Sequence, residues 1–366
     1  MLDLAADHLT YRHDKRSPAA AFDDVSVLVA KSTYTAVAGA SGCGATTLLA
    51  LLAGALRPDG GTIRIGARDV TGDRAARRPV LYVTATPDVP DRWSVQHALV
   101  AAVRQRSIDR EDRHHEYEMA VTKWRVGTLL ERRLGSLSGS ERTFVHLARI
   151  ELLKPAILIA DRLLEHLGAA ELPEAADELH RTLRVLGTTV ISAPAASLET
   201  GFADRLIVLD RGRIIQEGAP SEIYRHPASE AAARATGEIN VVPVTVRAGQ
   251  VESPIGAWNL GQPPFEGSGV ALARPEDFAI AAPGEESDLI LGIEEASFHG
   301  GRWHIRGLLS GNLTLRVSLP PTASVHKGRL LPLRYDPTAF QLLSRPEEPP
   351  VTTIPTGTIP LMRDSR

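Results

Sequence analysis

Cysteine is almost missing from this chain. Cys43 is the single one in 366 residues, so no internal disulfide can form, which fits a reducing compartment. An excess of charge is missing too. The formal net charge of -3 gives no electrostatic case for nucleic acid or for an anionic membrane surface. The N-terminal stretch MLDLAADHLTYRHDKR has neither the basic start nor the long apolar core of a signal peptide. No apolar run approaches the ~18–20 residues that a membrane-spanning helix needs, and Leu48 to Leu56 is too short. No internal repeat has a usable period. These absences predict a cytoplasmic chain that meets a membrane only through partner proteins. What is present is ordinary: 43% hydrophobic and 23% charged residues, a globular composition with enough length for about two or three domains.

The most informative stretch is YTAVAGASGCGATTLLALLAGAL, from Tyr34 to Leu56. An apolar β-rich run ends at Gly39. The loop Gly39-Ala40-Ser41-Gly42-Cys43-Gly44 follows, and a Leu-rich helical segment begins at Thr46. This is the strand, loop and helix of the phosphate-cradling pattern G-x-x-x-x-G-K-[ST], with one departure. The lysine position is Ala45. Glycines let backbone amides turn toward an anion and a helix N-terminus favours one, so the cradle can persist without the lysine that meets the β and γ phosphates.

Around it the chain alternates strands and helices. Asp3–Tyr11 and Val25–Val29 read as short strands flanking the HDKRSP break. TIRIGARDV reads as one alternating strand and Pro79–Val83 as another. From Ser94 to about Leu130 the pattern is helical, with a charged centre, RQRSIDREDRHHEYE. Leu137–Leu153 and Ala169–Leu186 read as helices; Ala156–Ala160, Thr188–Ser192 and Arg205–Leu209 read as strands, the last turning at Asp210-Arg211-Gly212. The order predicts an α/β domain with a largely parallel sheet over 1–236, its helical subdomain at about 94–153. From about Gly237 short alternating strands take over, which predicts a small barrel or sandwich over 237–344. The Pro- and Thr-rich tail, 345–366, reads as disordered.

Further segments follow in a telling order. Leu137-Ser138-Gly139-Ser140-Glu141 precedes a helix, and Ala156-Ile157-Leu158-Ile159-Ala160-Asp161 comes about 20 residues later. With these in hand, the chain resembles the ATP-binding subunits of ATP-binding-cassette (ABC) importers over nearly all of residues 1–340. GASGCGATTLLALLAGALRPDGGTIRIGARDV is similar to that family's P-loop region, LSGSERTFVHLARIELLKPAILIAD to its signature helix and Walker B strand, and FADRLIVLDRGRIIQEGAPSEIYRHP to the end of the cassette. The β-rich remainder, with GEINVVPVTV, ARPEDFAI and GRLLPLRYDPTAFQLL, is similar to the OB-like accessory domain of importers for iron, polyamines, sulfate or sugars.

The resemblance implies a nucleotide site with several reactive positions replaced. The phosphate lysine falls on Ala45, the γ-phosphate-sensing glutamine on or near Ala85, the catalytic glutamate on Arg162, the D-loop aspartate on Gly168, and the switch histidine on or next to Ala193. Gly39, Ser41, Gly42, Cys43, Gly44, Thr46 and Thr47 remain for the phosphates, with Thr46 and Asp161 for Mg²⁺. Tyr11 either stacks on adenine or packs locally in its strand. Arg162 either pairs with Asp161 or another neighbouring acid, or carries the missing lysine's charge. Leu137, Ser138, Gly139, Ser140 and Glu141 would face ATP held by a second cassette; Ser138 with Glu141 is also a capping box, which by itself is a helix start. The implied protein is a hydrolysis-deficient importer cassette, peripheral on the inner face of the membrane. Its implied partners are transmembrane permease subunits, docked around Ala85 to Ser94, and a second, active cassette. A non-catalytic scaffold and a working ATPase are the alternatives. His114 and His115 form either a metal cluster or a solvated helix face, and His299 and His304 flank a Gly-Gly turn.

Overall fold

In the computed structural model, residues 2–14, 21–85, 89–195, 197–282, 284–309 and 312–345 are described. Two compact units divide between Glu238 and Ile239. In the first, strands β1 (Leu4–Tyr11) and β2 (Phe22–Val29) lead to β3 (Tyr34–Gly39) and helix α1 (Ala45–Ala53). Then come β4 (Gly60–Ile65), β5 (Arg68–Asp69), β6 (Leu81–Thr84), and helices α2 (Val95–Arg104), α3 (Arg110–Lys123) and α4 (Gly139–Leu153). The unit ends with β7 (Ile157–Asp161), α5 (Leu172–Leu186), β8 (Thr189–Ala193), α6 (Ser197–Thr200), β9 (Arg205–Asp210), β10 (Arg213–Gly218), α7 (Pro220–Arg225) and α8 (Glu230–Thr236).

The central sheet has the order β10-β9-β3-β8-β7-β6. Its strands from β9 to β6 run parallel and β10 adds an antiparallel edge. Parallel strands covered on both faces need apolar side chains on both, and β7 and β8 are buried at every position. Helix α1 packs on these strands and buries six consecutive residues, Leu48 to Ala53, as a helix with no solvent face must. Its last carbonyls, on Leu51 and Leu52, accept from the buried Arg78 guanidinium at 2.8 and 2.6 Å, a cation at the negative end of the helix dipole. A second, antiparallel sheet has the order β2-β1-β4-β5.

Helices α2 to α4 form the helical layer. Val95, Ala98, Leu99, Ala102 and Val103 supply the apolar stripe of α2. The charged centre is not one helix: α2 ends at Arg104, and Asp109 caps α3 by accepting from the Asp112 amide at 2.8 Å. His114 and His115 lie exposed on α3. TIRIGARDV likewise divides at a turn into β4 and β5. Helix α5 starts at Leu172, not Ala169, because Pro173 fits the first turn and lacks only an amide that has no intrahelical partner there.

The second unit is built of strands: β11 (Asn240–Arg247), β12 (Gln250–Ser253), β13 (Gly256–Asn259), β14 (Gly267–Ala273), β15 (Phe278–Ile280), β16 (Leu289–His299), β17 (Arg302–Leu308), β18 (Thr314–Leu319), β19 (Leu330–Tyr335) and β20 (Gln341–Ser344). Two antiparallel sheets, β13-β12-β11-β14-β20 and β15-β19-β16-β17-β18, enclose a core including Val242, Val244, Leu291, Val317 and Leu333. The imidazoles of His299 and His304 stack across β16 and β17 at 3.8 Å. Most of the expected tail, 346–366, lies outside the described residues.

Candidate nucleotide site

The loop after β3 is shaped by contact with its neighbours. A Cβ on Gly39 would sit 2.1 Å from the Leu209 carbonyl oxygen of β9, so glycine is required there. The Cys43 amide donates to the Ala40 carbonyl at 2.9 Å, and the Cys43 carbonyl accepts from the Gly212 amide at 3.0 Å. The Cys43 thiol is free and buried. Gly44, with φ at 109°, is the N-cap of α1; no side chain caps that helix and its first turn holds no acid. The leading amides are left to an outside anion. They open on a cavity of about 700 Å³ lined by residues 37–47, His13, Arg162, Ala193, Arg211 and Arg234, among others, with no carboxylate among the described lining residues.

Thr46 and Asp161, the two residues expected for Mg²⁺, lie in contact. The Thr46 hydroxyl donates to Asp161 Oδ1 at 3.1 Å, at the C-terminal end of β7. Burial raises the Asp161 pKa, partly opposed by the Thr46 hydrogen bond and the Arg162 charge. Arg162 turns into the left-handed region, φ 54°. Its amide donates to the Ala193 carbonyl at 2.9 Å and its guanidinium pairs with Glu165 Oε1 at 2.8 Å. The acid Arg162 takes is therefore Glu165, while Asp161 is occupied by Thr46. Tyr11 packs beside the core under the loop and meets the His13 ring edge-on at 5.1 Å; it does not line the cavity. His13 Nε2 lies 3.3 Å from the Thr47 hydroxyl.

Ser41, Gly42, Thr46, Thr47, Ala45, Arg162 and Ala193 come together around this cavity; Ala85 and Gly168 do not line it. Ala85 follows β6, and residues 86–88 beyond it lie outside the described residues. The Gly168 amide donates to Glu171 at 3.3 Å. Sequence reading passed over His13, Arg211 and Arg234, which reach the cavity from three separate segments. The signal for them was a cation or imidazole in a turn or a final helix, which spacing alone does not connect to a loop so far off.

At the start of α4 the expected helix from Leu137 is shorter by two residues: Ser138 is the N-cap and Leu137 is extended. The capping box is present in full. Ser138 Oγ accepts from the Glu141 amide at 3.1 Å, and Glu141 Oε2 accepts from the Ser138 amide at 2.8 Å. That hydrogen bond, with help from Arg132, holds the Glu141 pKa below the usual range. Ser140 Oγ lies 2.9 and 2.8 Å from the two oxygens of Glu171. A Cβ on Gly139 would meet His166 Cβ at 2.9 Å, so the D-loop imidazole lies directly over this glycine.

The ABC transporter family profile matches residues 22–164. The sulfate/thiosulfate import ATP-binding protein CysA 2 of Chromobacterium violaceum is 31% identical over 341 residues, 90% of this chain and 92% of its own length. The chain belongs to the ABC transporter family. Among other relatives of this cassette, the Fe(3+) ions import ATP-binding protein FbpC of Escherichia coli K12 is 26% identical over 77% of this chain and 82% of its own. The cassette fold is shared with a solved dimeric bacterial ABC transporter cassette, with a TM-score of 0.53 and 16% identity over 59% of this chain and 98% of that one. It is shared also with cbiO1 of Clostridium perfringens, at 0.53 and 22% over 60% and 90%.

Proposed function

We propose that this cassette is the ATP-binding subunit of an importer, that its own cleft does not hydrolyse ATP, and that it works as the silent half of an asymmetric pair. The observation carrying this reading is chemical: no carboxylate among the described residues lines the cleft, and Arg162 stands beside Asp161 where the family's base falls. Arginine stays protonated at any working pH. A positioned general base contributes about 10²–10⁴ in rate, and no carboxylate among the described lining residues supplies one. Loss of the lysine acts on affinity instead. A charge-assisted hydrogen bond is worth roughly 1.5–3 kcal/mol, or about 10- to 150-fold in binding.

The residues present fit ATP and Mg²⁺ in part. The open amides of α1 suit a phosphate, and the hydroxyl–carboxylate pair of Thr46 and Asp161 offers the hard oxygen donors that Mg²⁺ takes. Bound there, the ion would neutralise phosphate charge. Permease subunits docking near Ala85 to Ser94 and a second cassette with an intact lysine and glutamate complete the reading. The membrane is met through these partners alone.

The deciding experiment purifies the chain with its natural membrane partners, counts cassettes by intact-complex mass, and assays the lone chain for phosphate release. One copy of this chain beside one lysine-bearing cassette, with no turnover by the lone chain, is the expected result. Two copies of this chain and no other cassette, or steady turnover abolished by Asp161→Asn, would sink the reading.

A further inference from the structure

The cavity before the phosphate loop has a charge pattern that the loop does not supply. Arg162, Arg211 and Arg234 line it with His13, and no acid among the described residues does. Two of the three guanidiniums are already held by acids: Arg162 by Glu165 and Arg234 by Glu230, each at 2.8 Å. Arg211 is exposed and has neither an ion pair nor a side-chain hydrogen bond among the described residues. It need not abandon an acid to meet a phosphate.

Its position is unusual for an arginine. Arg211 and Gly212 are the central residues of the turn between β9 and β10, with φ at 46° and 73°. Turns with both central φ positive favour Asn, Asp or Gly at the first of them, so the backbone gives no reason for a long cationic side chain. The turn is also fastened to the loop, through the Gly212 amide and the Cys43 carbonyl. The stem of Arg211 therefore starts one residue from that fastening. A planar guanidinium with parallel donors matches phosphate oxygens in pairs.

We propose that Arg211 supplies, from the β9–β10 turn, the phosphate-binding cation that Ala45 does not, so that the cleft takes a nucleoside polyphosphate through a relocated arginine. This rests on the cleft being a nucleotide site and is independent of whether the chain hydrolyses what it binds.

The test titrates the purified full-length chain with ATP and, separately, with inorganic triphosphate, both with Mg²⁺, by calorimetry. Arg211→Gln should weaken both ligands by roughly 10-fold or more. Arg211→Lys should retain most of the affinity, and Ala45→Lys should restore it in the Arg211→Gln background. Arg211→Asn, a residue suited to the left-handed turn, separates loss of charge from damage to the backbone and should match Arg211→Gln. Unchanged affinity in Arg211→Gln would overturn the proposal. So would weakening of ATP alone with triphosphate unaffected, which would place Arg211 on the sugar or base. Failure of the wild-type chain to bind either ligand would overturn it too, while leaving the absence of hydrolysis standing.

Discussion

Helices α1 and α4 both begin at glycine-containing turns, and the chain treats their exposed amides in opposite ways. At α1 the N-cap is Gly44, no side chain caps, and the first turn carries no acid. At α4 Ser138 caps, Glu141 reaches back to the Ser138 amide, and Glu171 sits on the Ser140 hydroxyl. One N-terminus is left for an anion from outside; at the other a serine hydroxyl takes the Glu141 amide and carboxylates stand on the Ser138 amide and the Ser140 hydroxyl. The residues at 137–141 read in sequence as a surface kept for a second cassette's ATP. In the fold, Glu141 is held on the Ser138 amide and Glu171 on the Ser140 hydroxyl beside that turn. Identical backbone chemistry can thus be left bare or capped depending on which side chains the neighbouring turns bring.

The sharpest way to break this comparison is at the two crowded glycines. Gly39→Ala drives a Cβ to 2.1 Å from backbone, and overpacking of that kind should cost about 3 kcal/mol or more in a denaturant melt. Gly139→Ala meets His166 first at its Cβ, 2.9 Å away, a clash that a small shift of an exposed turn relieves, and it should cost less than one of 2.1 Å against a strand carbonyl. An equal loss at both would mean that the signature turn is as rigid as the loop.

Acid should act on the α4 side. His146 is buried in α4, and burial, with Arg149 and Arg142 nearby, pushes its pKa down to about 3 from 6.5. The folded chain keeps it neutral while the unfolded chain takes a proton below about 6.5. This contribution to stability is complete above that pH and is lost as pH falls toward 3, by about 1.4 kcal/mol per unit. Melts of His146→Ala across this window should lack that slope; an unchanged slope would rule the residue out.

Ala45→Lys addresses the α1 side directly. It should tighten ATP by about 10- to 150-fold without producing turnover, because Arg162 still occupies the base position. Smallest is Ser138→Ala, expected to cost about 1 kcal/mol by removing the cap. Chemical denaturation of the variant measures it, and a loss near zero would mean that Glu141 holds the turn alone.

The strand, loop and helix at Tyr34 to Leu56 could be read from sequence because local rules agree there: an apolar run, glycines where the chain turns, and a Leu-rich helix. The α4 start was legible for the same reason, since Ser138 and Glu141 stand at capping-box spacing. The side-chain chemistry of the cleft was legible only as substitutions at expected positions. Its arginines at 211 and 234 and His13 were not, because long-range folding brings them in and no local pattern marks them. The partner of Arg162 was open between Asp161 and another acid. Thr46 takes Asp161, and Glu165, three residues on, is the acid within reach. In the second unit the short alternating runs after about Gly237 foretold strands, whereas β12, β13, β15 and β20 are too short to show a period.

The hydrogen bond between Thr46 and Asp161 fixes which way the threonine hydroxyl faces. The hydroxyl's one proton is directed at the carboxylate, so its two lone pairs stay available on its other side. An ion taken by that oxygen would need no rotation of the O–H, and Asp161 would already stand beside it. The seat is built before any guest arrives.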